Sequence, residues 1–420
     1  MKKLNILEDT VTFEEKDIEY FKSVLKKSQL SIFNSELIIE FQEKFLKFLK
    51  GKIKSSGIVA LPNCTSAIFI ALQMLDLKLG DEIIVPNLTH SSSIYPIVYL
   101  YGCKIKICDF SEVGYELDLE HLKSLITPKT KALLLCYLHG YPTNSDKVLK
   151  ICKEKNINLI EDCAQGLGIK INDVNVGNFG EFACFSFGEN KLLRLGEGGA
   201  LKYNNDDDLE KINRLRHVGE VWKENGRSTL TNDITYKSLI EKGIDYRGMG
   251  FNYRVNPLNI VVGLTKLNNL NTLIKERREK LELYKNKLSK IEGIKLISEN
   301  VYNTAPLSAW FLLDPKKFDV DKIIFKLLEY GIPAGKFKYP LVMDMDAFKN
   351  YILNLDDNFK NSNNLKNNSL FLPLYENIKI KDIEDITSYL IKIFTEYENL
   401  SIDKNILNKK VKYFDGFFIK

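Results

Sequence analysis

Between about residues 57 and 205, short apolar runs rich in β-branched side chains alternate with stretches whose apolar positions recur every three or four residues. The runs 82–85, 103–109, 131–137, 158–161, 182–187 and 200–203 predict strands, and 66–77, 119–125 and 145–155 predict the helices between them. Ser145 and Asp146 stand where a helix start needs side-chain acceptors. This alternation is that of βαβ units around a largely parallel sheet, so the expected fold class is α/β.

After residue 265 the pattern changes. A long charged helix is predicted over 268–288, followed by short strands and helices up to about residue 400, which reads as a smaller α+β lobe. A helix predicted over 14–27 is expected to pack with that lobe. The Asn-rich stretch 354–368 is broken by Leu, Phe and Lys and predicts a helix or a surface loop. The expected organisation is an N-terminal segment 1–50 packing with the small lobe, a large domain 51–265, and a small C-terminal domain 266–420. No repeat of solenoid period occurs.

Composition narrows the class. The 420 residues exceed the roughly 250 to 300 at which one core stops growing, which agrees with two lobes. No stretch reaches the ~18 uninterrupted apolar residues of a membrane helix. Lys3, Glu8, Asp9, Glu14 and Glu15 break up the first residues, unlike a signal or transit peptide, so the expected compartment is the cytoplasm. The 60 basic and 55 acidic residues are interspersed, which does not suggest a nucleic-acid surface, although the formal charge of +5 suits a phosphorylated small molecule. The 7 cysteines show no CxxC spacing and sit mostly in apolar runs, so neither a disulfide framework nor a metal site is expected.

Candidate chemistry begins at Asp162, which ends the predicted strand Asn158-Leu-Ile-Glu-Asp, because ligands of open α/β sheets bind at the carboxyl ends of strands. The next strand runs Phe185-Ser-Phe-Gly-Glu-Asn-Lys191 and leads into Gly196-Glu-Gly-Gly199. Alone, Lys191 reads as a solvated lysine and the glycines as a turn. Three further elements occur in order. Asn63-Cys-Thr-Ser-Ala67 joins an apolar run to a helix start, where free N–H groups can bind phosphate or simply be capped. Val85-Pro-Asn-Leu-Thr-His90 carries a flat ring into a loop. Gly250-Phe-Asn-Tyr-Arg254 precedes the long helix.

Together these five motifs resemble the DegT/StrS type of sugar aminotransferase, a family of pyridoxal-phosphate (PLP) enzymes of fold type I, over roughly residues 10 to 395. The resemblance implies that Lys191 holds the cofactor as a Schiff base and then serves as general base, with Asp162 paired to the pyridinium nitrogen. It implies Gln165 against the cofactor ring near its phenolic oxygen and His90 stacked on the other face. The phosphate falls to backbone N–H groups of Thr65 and Ser66, the hydroxyl of Ser186, and Asn252 of a neighbouring subunit, which implies a homodimer with shared active sites. Arg254 and Tyr339 are candidate substrate residues; Arg254 reads equally well as half of a structural ion pair.

Several positions depart from the family pattern. Cys64 stands where glycine is usual. Tyr137 occupies a position usually held by histidine, with His139 two residues later. Lys338-Tyr-Pro-Leu341 lacks the histidine that often follows Tyr-Pro, and 221–249 is longer than usual. The implied reaction moves an amino group from L-glutamate to a keto-sugar, usually nucleotide-linked, for surface polysaccharide, other glycan or antibiotic assembly. Alternatives are a cyclitol or other non-nucleotide ketone as acceptor, a PLP-dependent sugar dehydratase, whose resembling members carry histidine where Lys191 stands, and a PLP-binding regulatory protein without catalysis.

Overall fold

A computed structural model describes residues 4, 13–27, 31, 35–49, 56–112, 114–230, 234–402, 412–414 and 417–419. Its centre is a seven-stranded sheet in the spatial order Gly57–Leu61, Gly199–Tyr203, Phe182–Ser186, Asn158–Asp162, Thr130–Cys136, Glu82–Pro86 and Lys104–Cys108. All neighbours pair in parallel except that Gly199–Tyr203 runs antiparallel to both of its neighbours. The six predicted strands are all present, with ends moved by a residue or two, and Gly57–Leu61 is added.

Side chains alternate across this sheet, as a two-residue period requires. Ala60, Ile84, Leu133, Leu135, Leu159, Ala183 and Phe185 face one apolar layer, whereas Leu61, Val85, Leu134, Cys136, Ile160 and Cys184 face the other. Both faces are covered, so the strands read as continuous apolar runs. In the first layer, Phe41 and Phe45 of the helix Glu36–Leu49 meet Phe185 and Phe187 edge to face at 5.2 to 5.5 Å. That packing fixes the far side of the strand that leads to Lys191.

The smaller lobe has a three-stranded antiparallel sheet, Ile294–Leu296, Ser308–Leu313 and Ser369–Pro373; the helix Val320–Glu329 packs on its last strand, and Ile380–Thr395 packs on both Val320–Glu329 and Leu270–Leu288. The Asn-rich stretch supplies the helix Lys360–Asn368. The N-terminal segment touches both lobes: Glu15–Lys27 and Glu36–Leu49 pack on the helix Pro257–Leu267, and the Leu4 N–H donates to the Tyr330 carbonyl at 2.8 Å.

One excursion of the C-terminal region positions the site. The edge strand Lys104–Cys108 is extended by a parallel bridge from Ile105 to Ile352, and the Leu353 N–H donates to the Ile105 carbonyl at 2.9 Å. The Asn354 amide continues this pairing with its side chain, accepting from the Ile107 N–H and donating to the Ile107 carbonyl, each at 2.9 Å. An exposed edge is thereby closed. Next to it, Asn87 accepts from the Val342 and Met343 N–H groups at 2.8 and 3.2 Å, which brings the preceding loop, with Tyr339, to the carboxyl end of the large sheet.

Candidate active site

A cavity of about 200 Å³ lies at the carboxyl ends of the central strands, and its wall contains Thr65, His90, Asp162, Gln165, Ser186, Lys191 and Tyr339. Seven expected residues, drawn from positions 65 to 339, therefore converge on one site.

Asp162 closes its strand with a buried carboxylate, 6% exposed. Its Oδ1 accepts from the Ala164 N–H at 3.0 Å and its Oδ2 from the Ser93 hydroxyl at 2.5 Å. Two thiols lie farther out, Cys64 Sγ at 3.7 Å from Oδ1 and Cys136 Sγ at 3.8 Å from Oδ2. Burial, reinforced by the Asp162 charge, pushes both thiols well above their ordinary range, so they remain S–H groups. Cys64 thus puts a weak donor beside the carboxylate and leaves the backbone donors of its turn in place.

Lys191 stands in a loop closed by its own backbone. Its N–H donates to the Gly188 carbonyl at 3.0 Å, and its carbonyl accepts from Nε of the buried Arg194 at 3.1 Å. The glycine turn that follows has a steric reason. A Cβ on Gly199 would lie 2.3 Å from the carbonyl carbon of Asn63 and 2.7 Å from the Cys64 nitrogen, so only glycine lets this strand approach the start of the helix Cys64–Gln73.

At that helix start Asn63 is the cap. Its Oδ1 accepts from the Ser66 N–H at 2.8 Å, and the Ser66 hydroxyl turns back to Asn63. In this arrangement the Ser66 N–H serves the cap, and its side chain is buried outside the cavity wall. The N–H groups of Cys64 and Thr65 lie in the same turn and have no intrahelical acceptor.

His90 caps the helix Ser91–Tyr101, accepting at Nδ1 from the Ser92 N–H at 3.1 Å, and its ring meets the Tyr339 ring at right angles with centroids 5.0 Å apart. The Gln165 Oε1 accepts from the His139 N–H at 2.7 Å, which leaves the Nε2 amino group for the cavity. His139 adopts φ 51°, stacks on Phe371 of the small lobe with centroids 4.0 Å apart, and reaches Ser308 Oγ through Nδ1 at 3.0 Å. Tyr137 contributes to the wall, but its hydroxyl is tied to Glu161 at 2.7 Å and Ser145 at 2.8 Å. It braces the sheet and presents no acid to a ligand.

Asn252 and Arg254 are not in the wall of their own chain's cavity; both are exposed. Asn252 sits at φ 56° with its N–H on the His217 carbonyl at 2.7 Å, and the Arg254 guanidinium donates to His217 Nδ1 at 2.8 Å. Sequence reasoning missed Ser93. The triplet Ser91-Ser92-Ser93 after His90 signals a helix start, but only the fold turns Ser93 toward Asp162.

A lysine amine, a buried carboxylate and uncapped N–H groups at a helix start thus share one cavity. These match, respectively, the aldehyde, the ring nitrogen and the phosphate of PLP. The family model of the DegT/DnrJ/EryC1/StrS aminotransferases matches residues 11–391. The chain belongs to this family. It is therefore a PLP-dependent transaminase. Its relatives include the GDP-perosamine synthase of Escherichia coli O157:H7, 28% identical over 304 residues that cover 72% of this chain and 76% of that one. The GDP-perosamine synthase of Caulobacter vibrioides is 27% identical over 360 residues, 85% of this chain and 90% of its own. Among solved structures, an E. coli GDP-4-keto-6-deoxy-D-mannose-3-dehydratase with bound hydrated PLP superposes with a TM-score of 0.81 at 22% identity, covering 92% of this chain and 100% of that one. Among the described residues no helix is long and apolar enough to cross a membrane, and no group of His, Cys, Asp and Glu is arranged to hold a metal ion.

Proposed function

We propose that this transaminase moves an amino group from L-glutamate to the ketone of a nucleotide-linked keto-deoxysugar, in the cytoplasm, for the assembly of a surface glycan such as lipopolysaccharide. The observation that carries the reading is the convergence of Lys191 and Asp162 on one cavity in a chain whose relatives include two GDP-perosamine synthases. PLP, when bound, supplies an electron sink through which an amino group can leave one carbon and join another. Lys191 Nζ would hold the cofactor and would serve as general base toward the amino-bearing carbon. The Asp162 carboxylate would pair with the ring nitrogen, and Gln165 would lie against the ring near its phenolic oxygen. Backbone N–H groups of the helix start at Cys64, Thr65 and Ser66 and the Ser186 hydroxyl would hold the phosphate. Tyr339 would face the substrate from the cavity wall, and Arg254 would do so from the neighbouring subunit.

The working unit is a homodimer in which Asn252 reaches the phosphate of the neighbouring subunit. In support, Asn252 follows Phe251 in an exposed aromatic cluster where Phe69 meets Tyr95, Tyr99, Phe251 and Tyr253 at 5.6 to 6.4 Å. Tyr99 is 77% exposed there, an apolar surface that a second copy would bury.

The test follows the visible absorbance of the purified protein loaded with PLP. L-Glutamate alone is expected to abolish the band of the lysine-linked cofactor, and a nucleotide-linked 4-keto-6-deoxysugar to restore it, with the amino sugar identified by mass spectrometry. A band indifferent to L-glutamate, or restored equally well by a ketone without a nucleotide, would sink the reading.

A further inference from the structure

Asp162 is held by more than its own strand. Ser93 Oγ lies 2.5 Å from Oδ2, at the short end for a hydroxyl donating to a carboxylate, and Ser93 is 1% exposed. A hydroxyl so deeply buried needs an acceptor, and a carboxylate oxygen is the strongest one it could be given. Thr89, also 1% exposed, stands behind it. Its Oγ1 is 3.1 Å from Cys136 Sγ and 3.4 Å from Ser93 Oγ. Ser93 belongs to the first turn of the helix Ser91–Tyr101, and Asp162 to the end of a central strand 69 residues away. The contact therefore joins two rigid elements, the condition under which a hydroxyl can set the direction of a neighbouring group.

We propose that Ser93 is a positioning residue for Asp162: its hydroxyl fixes the rotation of the carboxylate so that a lone pair is presented to the ring nitrogen of the cofactor. The backbone N–H of Ala164 restrains Oδ1, but one hydrogen bond leaves the carboxylate free to turn about its Cβ–Cγ bond, since that torsion is soft. The second anchor removes this freedom. Cys64 and Cys136 cannot replace it, because their sulfurs lie at 3.7 and 3.8 Å and thiols are weak donors.

The experiment is a double-mutant cycle read by PLP affinity, measured on cofactor-free protein by fluorescence titration, so that turnover is not needed. Ser93→Ala is expected to weaken PLP binding about tenfold, the scale of one hydrogen bond to a charged group. In an Asp162→Asn background, the same change is expected to alter affinity less than about twofold, because the group it positions has lost its charge. Ser93→Cys, which keeps a weaker donor at the same place, is expected to fall between Ser and Ala. Thermal melts of the cofactor-free variants report folding. Equal weakening by Ser93→Ala in both backgrounds would show a general structural role and overturn the proposal. So would unchanged affinity in Ser93→Ala, or a Cys variant no tighter than the Ala variant.

Discussion

The N–H of His139 donates to Oε1 of Gln165 at 2.7 Å while the His139 imidazole stacks on Phe371, so one residue joins the cofactor pocket to the small lobe. Its backbone lies in the left-handed region, at φ 51°. That conformation is uncommon for a residue with a Cβ and persists only where its surroundings hold it. Here the Phe371 ring and Ser308 do so. Gln165→Leu removes the acceptor and leaves the His139 N–H unmet, at a cost of roughly 1 to 3 kcal/mol. Urea denaturation of the cofactor-free protein measures this. A loss confined to PLP binding, with unchanged stability, would show that the bond does not brace the fold.

Lys191→Ala is expected to abolish turnover and the visible band of the lysine-linked cofactor while the protein stays folded, because Lys191 is on a loop outside both apolar layers. Its backbone bonds to Gly188 and Arg194 survive the change. Absorbance and circular dichroism of the variant decide the matter together, and retained turnover would refute the assignment of Lys191.

Gly199→Ala tests the helix start proposed to hold the phosphate. The added methyl would meet Asn63 at 2.3 Å, a backbone contact that can be relieved only by moving the strand or the helix start. Overpacking of this kind costs roughly 1 to 3 kcal/mol or more. PLP affinity is expected to fall as well, since the displaced turn carries the Thr65 N–H. Thermal melts and PLP titration of the same variant separate the two effects.

The pH dependence of folding should carry a contribution from His217. Burial and the adjacent Arg254 charge hold its folded pKa below the ordinary 6.5, with Glu220 opposing them. Below 6.5 the unfolded chain therefore takes up a proton that the folded protein does not, so stability from this site is complete above 6.5 and declines as pH falls below it. Urea midpoints of the wild type should drop between about pH 8 and about pH 5.5, and those of a His217→Gln variant should drop less. Parallel declines in the two proteins would assign the effect to other groups.

The alternation of apolar runs with helical periods, read along the chain, determined the large sheet, since strands buried on both faces and helices with one apolar stripe leave patterns that do not depend on partners. The motif around Lys191 was legible for a related reason: Ser186, Lys191 and the glycines lie within one strand, turn and strand, so their spacing survives folding. Asp162 followed from its place at a strand end. Only the tertiary structure could decide which distant groups surround these. The Ser93 hydroxyl meets Asp162 across 69 residues, the His139 N–H meets Gln165 across 26, and Asn354 extends the edge of a strand 247 residues before it. A helix start offers its N–H groups alike to a cap or to a phosphate, and only the fold shows that the Asn63 side chain reaches the Ser66 N–H. Hydrophobic period is a property of neighbours along the chain, whereas a hydrogen bond between side chains far apart in sequence depends on where two elements come to rest, and no local pattern records that.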